Sequence, residues 1–250
     1  MGKTNILASL LTRSAIAASC LVGLPAAVLA GPQDTPPPGS AFDLSYWKIT
    51  LPIDGDDDGR VDEVDVGDIQ DFSHPDFFYL NAEGDMVFTA PNRATTTSGS
   101  SNTRSELRQM LRGTSTRIGT HGGGNNFAVE ARRDSHKFGS VGGRLEAAVS
   151  VDQVAVKTQY PDRNPAYSVV VGQIYAVGYN DTSSGFGYGN EPIKIYYKKF
   201  PGQDTGSVFW TYERNLARDN PDRSDIAVPG WENIWDNAED PGENGNSLGE

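Results

Sequence analysis

Arg104, Glu106, Arg108 and Met110 alternate with Ser105, Leu107, Gln109 and Leu111. An extended chain over Thr103–Leu111 therefore carries two guanidinium groups, with a carboxylate between them, on one face. The same period of two over Ser168–Val177 sets Val169, Val171, Gln173, Tyr175 and Val177 opposite Val170, Gly172, Ile174 and Ala176. Over Ile193–Phe200 it sets Lys194, Tyr196, Lys198 and Phe200 opposite Ile193, Ile195, Tyr197 and Lys199. Laid side by side, these faces form a cationic groove lined with aromatic rings. Arginine grips a carboxylate with two parallel N–H donors, lysine adds a point charge, and tyrosine offers both a ring and a hydroxyl. Such a set of groups suits an anionic sugar polymer. Solvated outer faces held by cross-strand ion pairs would show the same alternation, and spacing alone does not make three strands neighbours.

Other residues could also do chemistry. Asp54-Gly55-Asp56-Asp57-Asp58-Gly59 fits a D-x-D-x-D-G loop, with Asp62 and Asp65 at its ninth and twelfth positions. Alternate carboxylates around a glycine turn supply oxygens of the kind calcium needs, six or more in all. A structural calcium on Asp54, Asp56 and Asp58 is one expectation, and a solvated acidic turn is the other. His74, His121 and His136 show no H-x-x-x-H spacing, which disfavours zinc hydrolysis. His121, in the loop THGGGNN, is the histidine placed to bring an imidazole to the groove from outside its strands. Neither a G-x-S-x-G element nor a phosphate loop occurs, so serine-hydrolase and nucleotide chemistry fall away.

Short strands must carry these residues. Beyond the three above, period-two runs occur at Tyr46–Leu51, Asp85–Thr89, Phe127–Arg132, Gly143–Val151 and Ser207–Arg214. Between them lie loop compositions such as TTTSGSSN and YNDTSSGFGYGN, with no helix of three turns and no repeat of fixed period. The pattern implies an all-β chain, a β-sandwich or jelly roll. A hydrophobic content of 37% with ten Tyr and ten Phe supplies a core, while one cysteine excludes a disulfide scaffold. A formal charge of −12 argues against nucleic acid as a partner. No apolar run after residue 30 is long enough to span a bilayer. Residues 1–30 carry Lys3 and Arg13, then an apolar stretch ending Val28-Leu29-Ala30, the plan of a signal peptide cut after Ala30. A secreted or periplasmic protein is expected, with a Pro-rich linker at 31–42 and the folded domain at 43–250.

Seven segments, in order along the chain, resemble alginate lyases of polysaccharide lyase family seven. They are YWKITLP (46–52), HPDFFYL (74–80), NTRSELRQM (102–110), NNFAVEA (125–131), VVVGQIY (169–175), KIYYKK (194–199) and SVFWTYERN (207–215). R-S-E-L-R is the most specific of them. The resemblance implies a jelly roll whose concave sheet binds substrate, β-elimination of a 4-linked polyuronate such as alginate, and no cofactor for the chemistry. By position, Arg104 is the family's motif arginine and Gln173 its glutamine. Both are expected to neutralise the uronate carboxylate, stabilising the enolate-like transition state. Arg108, Lys194, Tyr196 and Lys198 would bind substrate, and Glu106 would orient the guanidinium groups. Tyr175 stands where the family has the histidine of Gln-Ile/Val-His. A phenol there would donate a hydrogen bond or, with its pKa depressed, act as base.

The family's closing motif Y-x-K-x-G-x-Y-x-Q, whose tyrosine serves as base and acid, is not met before Glu250. The resemblance therefore implies further strands beyond that residue. Endo action, a guluronate preference and a monomeric state are expected. A non-catalytic carbohydrate-binding module on the same sandwich is the alternative. A glycoside hydrolase would need a second carboxylate facing Glu106, for which Glu146 is only a distant candidate.

Overall fold

The computed structural model describes residues 36–128, 135–157, 165–176, 190–217, 220–223 and 225–227. The leader with its cut after Ala30, the first half of the linker, residues 129–132, Val177 and the stretch beyond Ala227 lie outside the described residues. Regular structure among the described residues is β-strand or short 3-10 helix, with no α-helix.

The first sheet is built around β1 (Trp47–Thr50), which pairs antiparallel with β2 (Glu63–Val64). Its other edge receives β5 (Glu106–Gln109), after β3 (Phe78–Leu80) and β4 (Met86–Phe88) have formed a hairpin of their own. The pairing Ile49↔Val64 and Ile49↔Leu107 puts three apolar side chains on one face. They pack with Leu44, Leu51, Ile69 and Phe78 into the core, each fully buried aliphatic or aromatic contributing about 1.5–3 kcal/mol. Pleating sends the alternate residues, Lys48, Thr50, Glu106 and Arg108, to the opposite face. The core thus fixes which way the charged residues point, because a one-residue slip would bury them and expose Ile49. In the hairpin, Asn81 Oδ1 accepts from the N–H groups of Glu83 and Asp85, and Gly84 takes the left-handed conformation at φ +87°. β6 (Phe127–Ala128) and β7 (Ser140–Val141) pair in parallel.

The second large sheet is an antiparallel run of β8 (Ser168–Ala176), β9 (Asn190–Lys198), β10 (Ser207–Glu213) and β11 (Asp225–Ala227), with β8 at its edge. Val170 pairs with Tyr196, but Gly172 pairs with Ile195, so Val171 is an extra residue in β8. This bulge shifts the alternation. Val170 before it and Gln173 after it are the residues that face the same way as Tyr196 and Lys194, in place of the unbroken Val169–Val171–Gln173 series expected.

Several elements differ from expectation in extent. The ladder of β5 covers only the middle of Thr103–Leu111, and Arg104 precedes it. Thr103 Oγ1 donates to Pro91 O at 2.5 Å and Ser105 Oγ to Phe77 O at 2.8 Å, which pins that lead-in. No strand forms over Gly143–Val151, where Leu145 and Val149 are exposed. A strand exists only against a partner, and this segment makes no ladder with any described strand. Packing also begins inside the expected linker. Pro38 is buried, and Gln70 Nε2 donates to the carbonyls of Gly39 and Phe42 while Gln70 Oε1 accepts from Leu44 N–H.

Candidate active site

Glu106 joins the two sheets. Its Oε2 accepts from Arg104 Nη1 at 3.0 Å and its Oε1 from Gln173 Nε2 at 2.7 Å. Three of the expected site residues, from β8 and from β5 with its lead-in, are therefore brought into one hydrogen-bonded chain. Arg104 Nε is buried and has no partner among the described residues. Beside this chain, Glu63 Oε1 takes the Lys48 ammonium at 2.6 Å and the Thr50 hydroxyl at 3.1 Å.

Arg108 sits opposite Lys48 in the ladder. Its Nη2 donates to Asn126 Oδ1 at 3.3 Å, and its guanidinium lies 4.9 Å from the centre of the Tyr175 ring. Arg104 has Glu106, Lys48 has Glu63 and Lys194 has Glu191 as ion-pair partners. Arg108 has no carboxylate at ion-pair distance among the described residues. Burial pushes its guanidinium below the ordinary arginine value, against the pull of Tyr175, Glu106 and Glu63. A half-buried cation held by an amide and a ring is incompletely compensated, and an incoming carboxylate would complete it.

Tyr175 also meets His121, with ring centres 5.9 Å apart and planes tilted by 57°. The His121 imidazole is lowered from its ordinary value, first by burial and then by Arg108 and Lys48, with Glu63 opposing. Both influences favour the neutral ring.

The β9 residues sit differently. Lys194 lies opposite Gln173 and pairs with Glu191 at 3.2 Å. Tyr196 is 8% exposed and stacks on Phe209 at 4.9 Å, while Lys198 is 2% exposed with its ammonium 4.7 Å from the Phe200 ring. Tyr196 and Lys198 are thus packed among neighbouring side chains and do not stand on an open surface. Lys48, Glu63 and Asn126 were not singled out in the sequence. The polar alternation of Lys48 and Thr50 against Trp47, Ile49 and Leu51 was the signal available for the first.

Asp54, Asp56 and Asp58 bring carboxylate oxygens within 4.8 Å of one another. Asp54 accepts from the N–H groups of Asp58 and Gly59, and Asp56 from that of Asp58. Asp65, expected at the twelfth position of a calcium loop, is instead held by Arg112 Nη2 at 2.7 and 3.1 Å. Glu146 is paired with Arg144 on an exposed stretch. No helix among the described residues is long and apolar enough to cross a membrane.

A family model described as alginate lyase matches residues 42–239. An alginate lyase of Klebsiella pneumoniae is 36% identical over 203 residues, which are 79% of this chain and 60% of that protein. The crystal structure of the alginate lyase from Klebsiella pneumoniae superposes with a TM-score of 0.60 at 35% identity, covering 71% of this chain and 59% of that one. An exolytic alginate lyase of Zobellia galactanivorans is 29% identical, with 74% of this chain and 47% of that one covered and a TM-score of 0.41. The chain thus spans about three fifths of the length of the Klebsiella protein, and it shares that fold class, the jelly-roll sandwich. On the family match and a relative more than a third identical, the chain belongs to the alginate lyases of polysaccharide lyase family seven.

Proposed function

We propose that this protein cleaves alginate, a 4-linked polyuronate, by β-elimination. The observation that carries the proposal is the Glu106 bridge, which holds Arg104 and Gln173 together beside an Arg108 that has no carboxylate at ion-pair distance among the described residues. A uronate carboxylate resists loss of the neighbouring C5 proton while its charge is uncompensated. Guanidinium and amide donors aimed at it stabilise the enolate-like transition state, an effect worth about 10²–10³ in rate per donor. A base then removes the proton from C5, the C4–O4 bond breaks, and an acid protonates O4. Tyr175, whose ring lies 4.9 Å from the Arg108 guanidinium, would carry part of that proton traffic. Arg108 and Lys194 would take neighbouring carboxylates, and Tyr196 and Lys198 would shape and charge the floor beneath them.

The same proposal includes endo action by a monomer that is secreted or periplasmic, as the leader suggests, with no cofactor in the chemistry. Gln173-Ile174 is the variant that in the family accompanies guluronate-containing substrates. A structural calcium at Asp54, Asp56 and Asp58 would stand apart from the reaction.

The test is ultraviolet absorbance during incubation with alginate, since elimination leaves a conjugated 4,5-double bond and hydrolysis does not. Absorbing products are expected, and Arg104→Ala is expected to lower their rate about 10²–10³-fold. Alginate binding without any absorbing product would overturn the proposal in favour of a binding module. New reducing ends without absorbance would overturn it in favour of hydrolysis.

A further inference from the structure

Arg108 differs from the cations around it. Arg104, Lys48 and Lys194 each have a carboxylate within 3.2 Å. The Arg108 guanidinium instead meets an amide oxygen, Asn126 Oδ1, at 3.3 Å, and the Tyr175 ring at 4.9 Å. Asn126 is itself held from several sides. Its Nδ2 donates to Thr120 O at 3.0 Å and to Gly122 O at 2.8 Å, both in the loop between β5 and β6. Its backbone N–H donates to Gly123 O and its carbonyl accepts from Gly139 N–H, each at 2.9 Å. Next to it, the buried Asn125 donates from Nδ2 to the same Thr120 O at 2.8 Å and accepts from Arg112 N–H at 3.0 Å. These partners decide which way the Asn126 amide points. Carbonyl oxygens only accept, so the NH₂ end must face Thr120 and Gly122, and the oxygen is left for Arg108. Asn126 is buried, so that oxygen has little water to turn to.

We infer that Asn126 is a positioning residue for Arg108, an inference that rests on the alginate site proposed above. It aims the guanidinium with an uncharged oxygen and so leaves the cation's charge for a uronate carboxylate. A carboxylate in place of the amide would fit the same volume. It would bond the guanidinium about twice as strongly as a neutral oxygen does, and substrate would have to break that ion pair before forming its own. With no acceptor at all, Arg108 would keep its charge but lose its fixed direction, and ordering it would then cost binding. The amide avoids both. The nearby carboxylates are already committed, Glu106 to Arg104 and Gln173, and Glu63 to Lys48 and Thr50. Burial of the guanidinium adds to its need for an anion. Because Arg108 holds a uronate unit beside the reacting one, the loss falls on binding and not on turnover.

The test measures alginate binding by titration calorimetry, and KM and kcat by ultraviolet absorbance. The proteins compared are the unaltered chain, Asn126→Asp, Asn126→Ala, Arg108→Ala, and Arg108→Ala combined with Asn126→Asp. Unfolding temperatures set a measuring temperature at which every variant is folded. Both single Asn126 variants lose the bonds to the loop carbonyls, but only Asn126→Asp adds a charge, so their difference removes the structural part. Asn126→Asp is expected to weaken binding and raise KM by about 10–100-fold. Asn126→Ala is expected to do so by about two- to fivefold, with kcat within about threefold in both. In the Arg108→Ala background, Asn126→Asp is expected to add less than about threefold, because the group it acts through is gone. Equal effects of Asn126→Asp and Asn126→Ala, or the full effect of Asn126→Asp persisting without Arg108, would overturn this inference and make Asn126 a support of the loop alone. Absence of unsaturated product from a protein that binds alginate with the expected differences would overturn the elimination and support this inference. Failure of the unaltered protein to bind alginate would overturn both.

Discussion

Glu106 is the residue whose chemistry depends most on having two acceptor oxygens and no donor. Arg104 Nη1 and Gln173 Nε2 both point N–H groups at it. In Glu106→Gln, whichever way the amide turns, its NH₂ end faces one of those donors. Either the guanidinium or the Gln173 amide must then swing away, although the volume is unchanged. The expected result is a fall in kcat/KM of about 10–100-fold, the size seen when the partners orienting a functional group are lost. The products would still absorb in the ultraviolet. A glycoside hydrolase using Glu106 as its acid would give no absorbing product in either form and would lose all release of reducing ends on the substitution. Asn126 plays the corresponding part for Arg108, through one acceptor oxygen and two N–H donors committed to the loop carbonyls.

At the scale of elements, β9 and β10 hold the cationic residues in place through a turn that admits no side chain at Gly206. A Cβ there would fall on the Tyr197 ring and the Lys198 carbonyl, and backbone cannot step aside as a flexible side chain can. Gly206→Ala is expected to cost roughly 1–3 kcal/mol by overpacking, read as a lower denaturation midpoint in urea. Removing the fully buried Phe209 ring under Tyr196 is expected to cost about 3–5 kcal/mol in Phe209→Ala. Some of this arrangement was legible in the sequence. The charged face of β5 was, because alternation runs unbroken through Glu106–Gln109. The face of β8 was only half legible, because a bulge at Val171 leaves no mark in a run of three valines. β2, β7 and β11 are two or three residues long, too short to display a period. Gly143–Val151 has the period but no described partner, and pairing is a property of two segments that one cannot reveal. The bridge from Glu106 to Gln173 joins residues 67 apart. Type and alternation marked both residues, but only the folded chain puts them in contact.

The whole molecule carries a formal charge of −12, and the proposed substrate is itself a polyanion. Long-range repulsion then opposes encounter, while Arg104, Arg108 and Lys194 attract carboxylates only at short range. These two effects respond differently to salt. The Debye length is about 30 Å at 0.01 M and about 10 Å at 0.1 M. Over that interval the repulsion between distant charges is screened before the contacts of a half-buried arginine are. kcat/KM on polymeric alginate is therefore expected to rise from about 0.01 M to about 0.1 M sodium chloride, then fall as contact pairs are screened in turn. A short oligomer, carrying fewer charges, should show a smaller rise. Initial rates of product absorbance against salt, for polymer and oligomer side by side, check this. A steady fall from the lowest salt upward would mean that the cations of the site govern capture from the first encounter, and that the acidic remainder of the chain lies too far from the groove to matter.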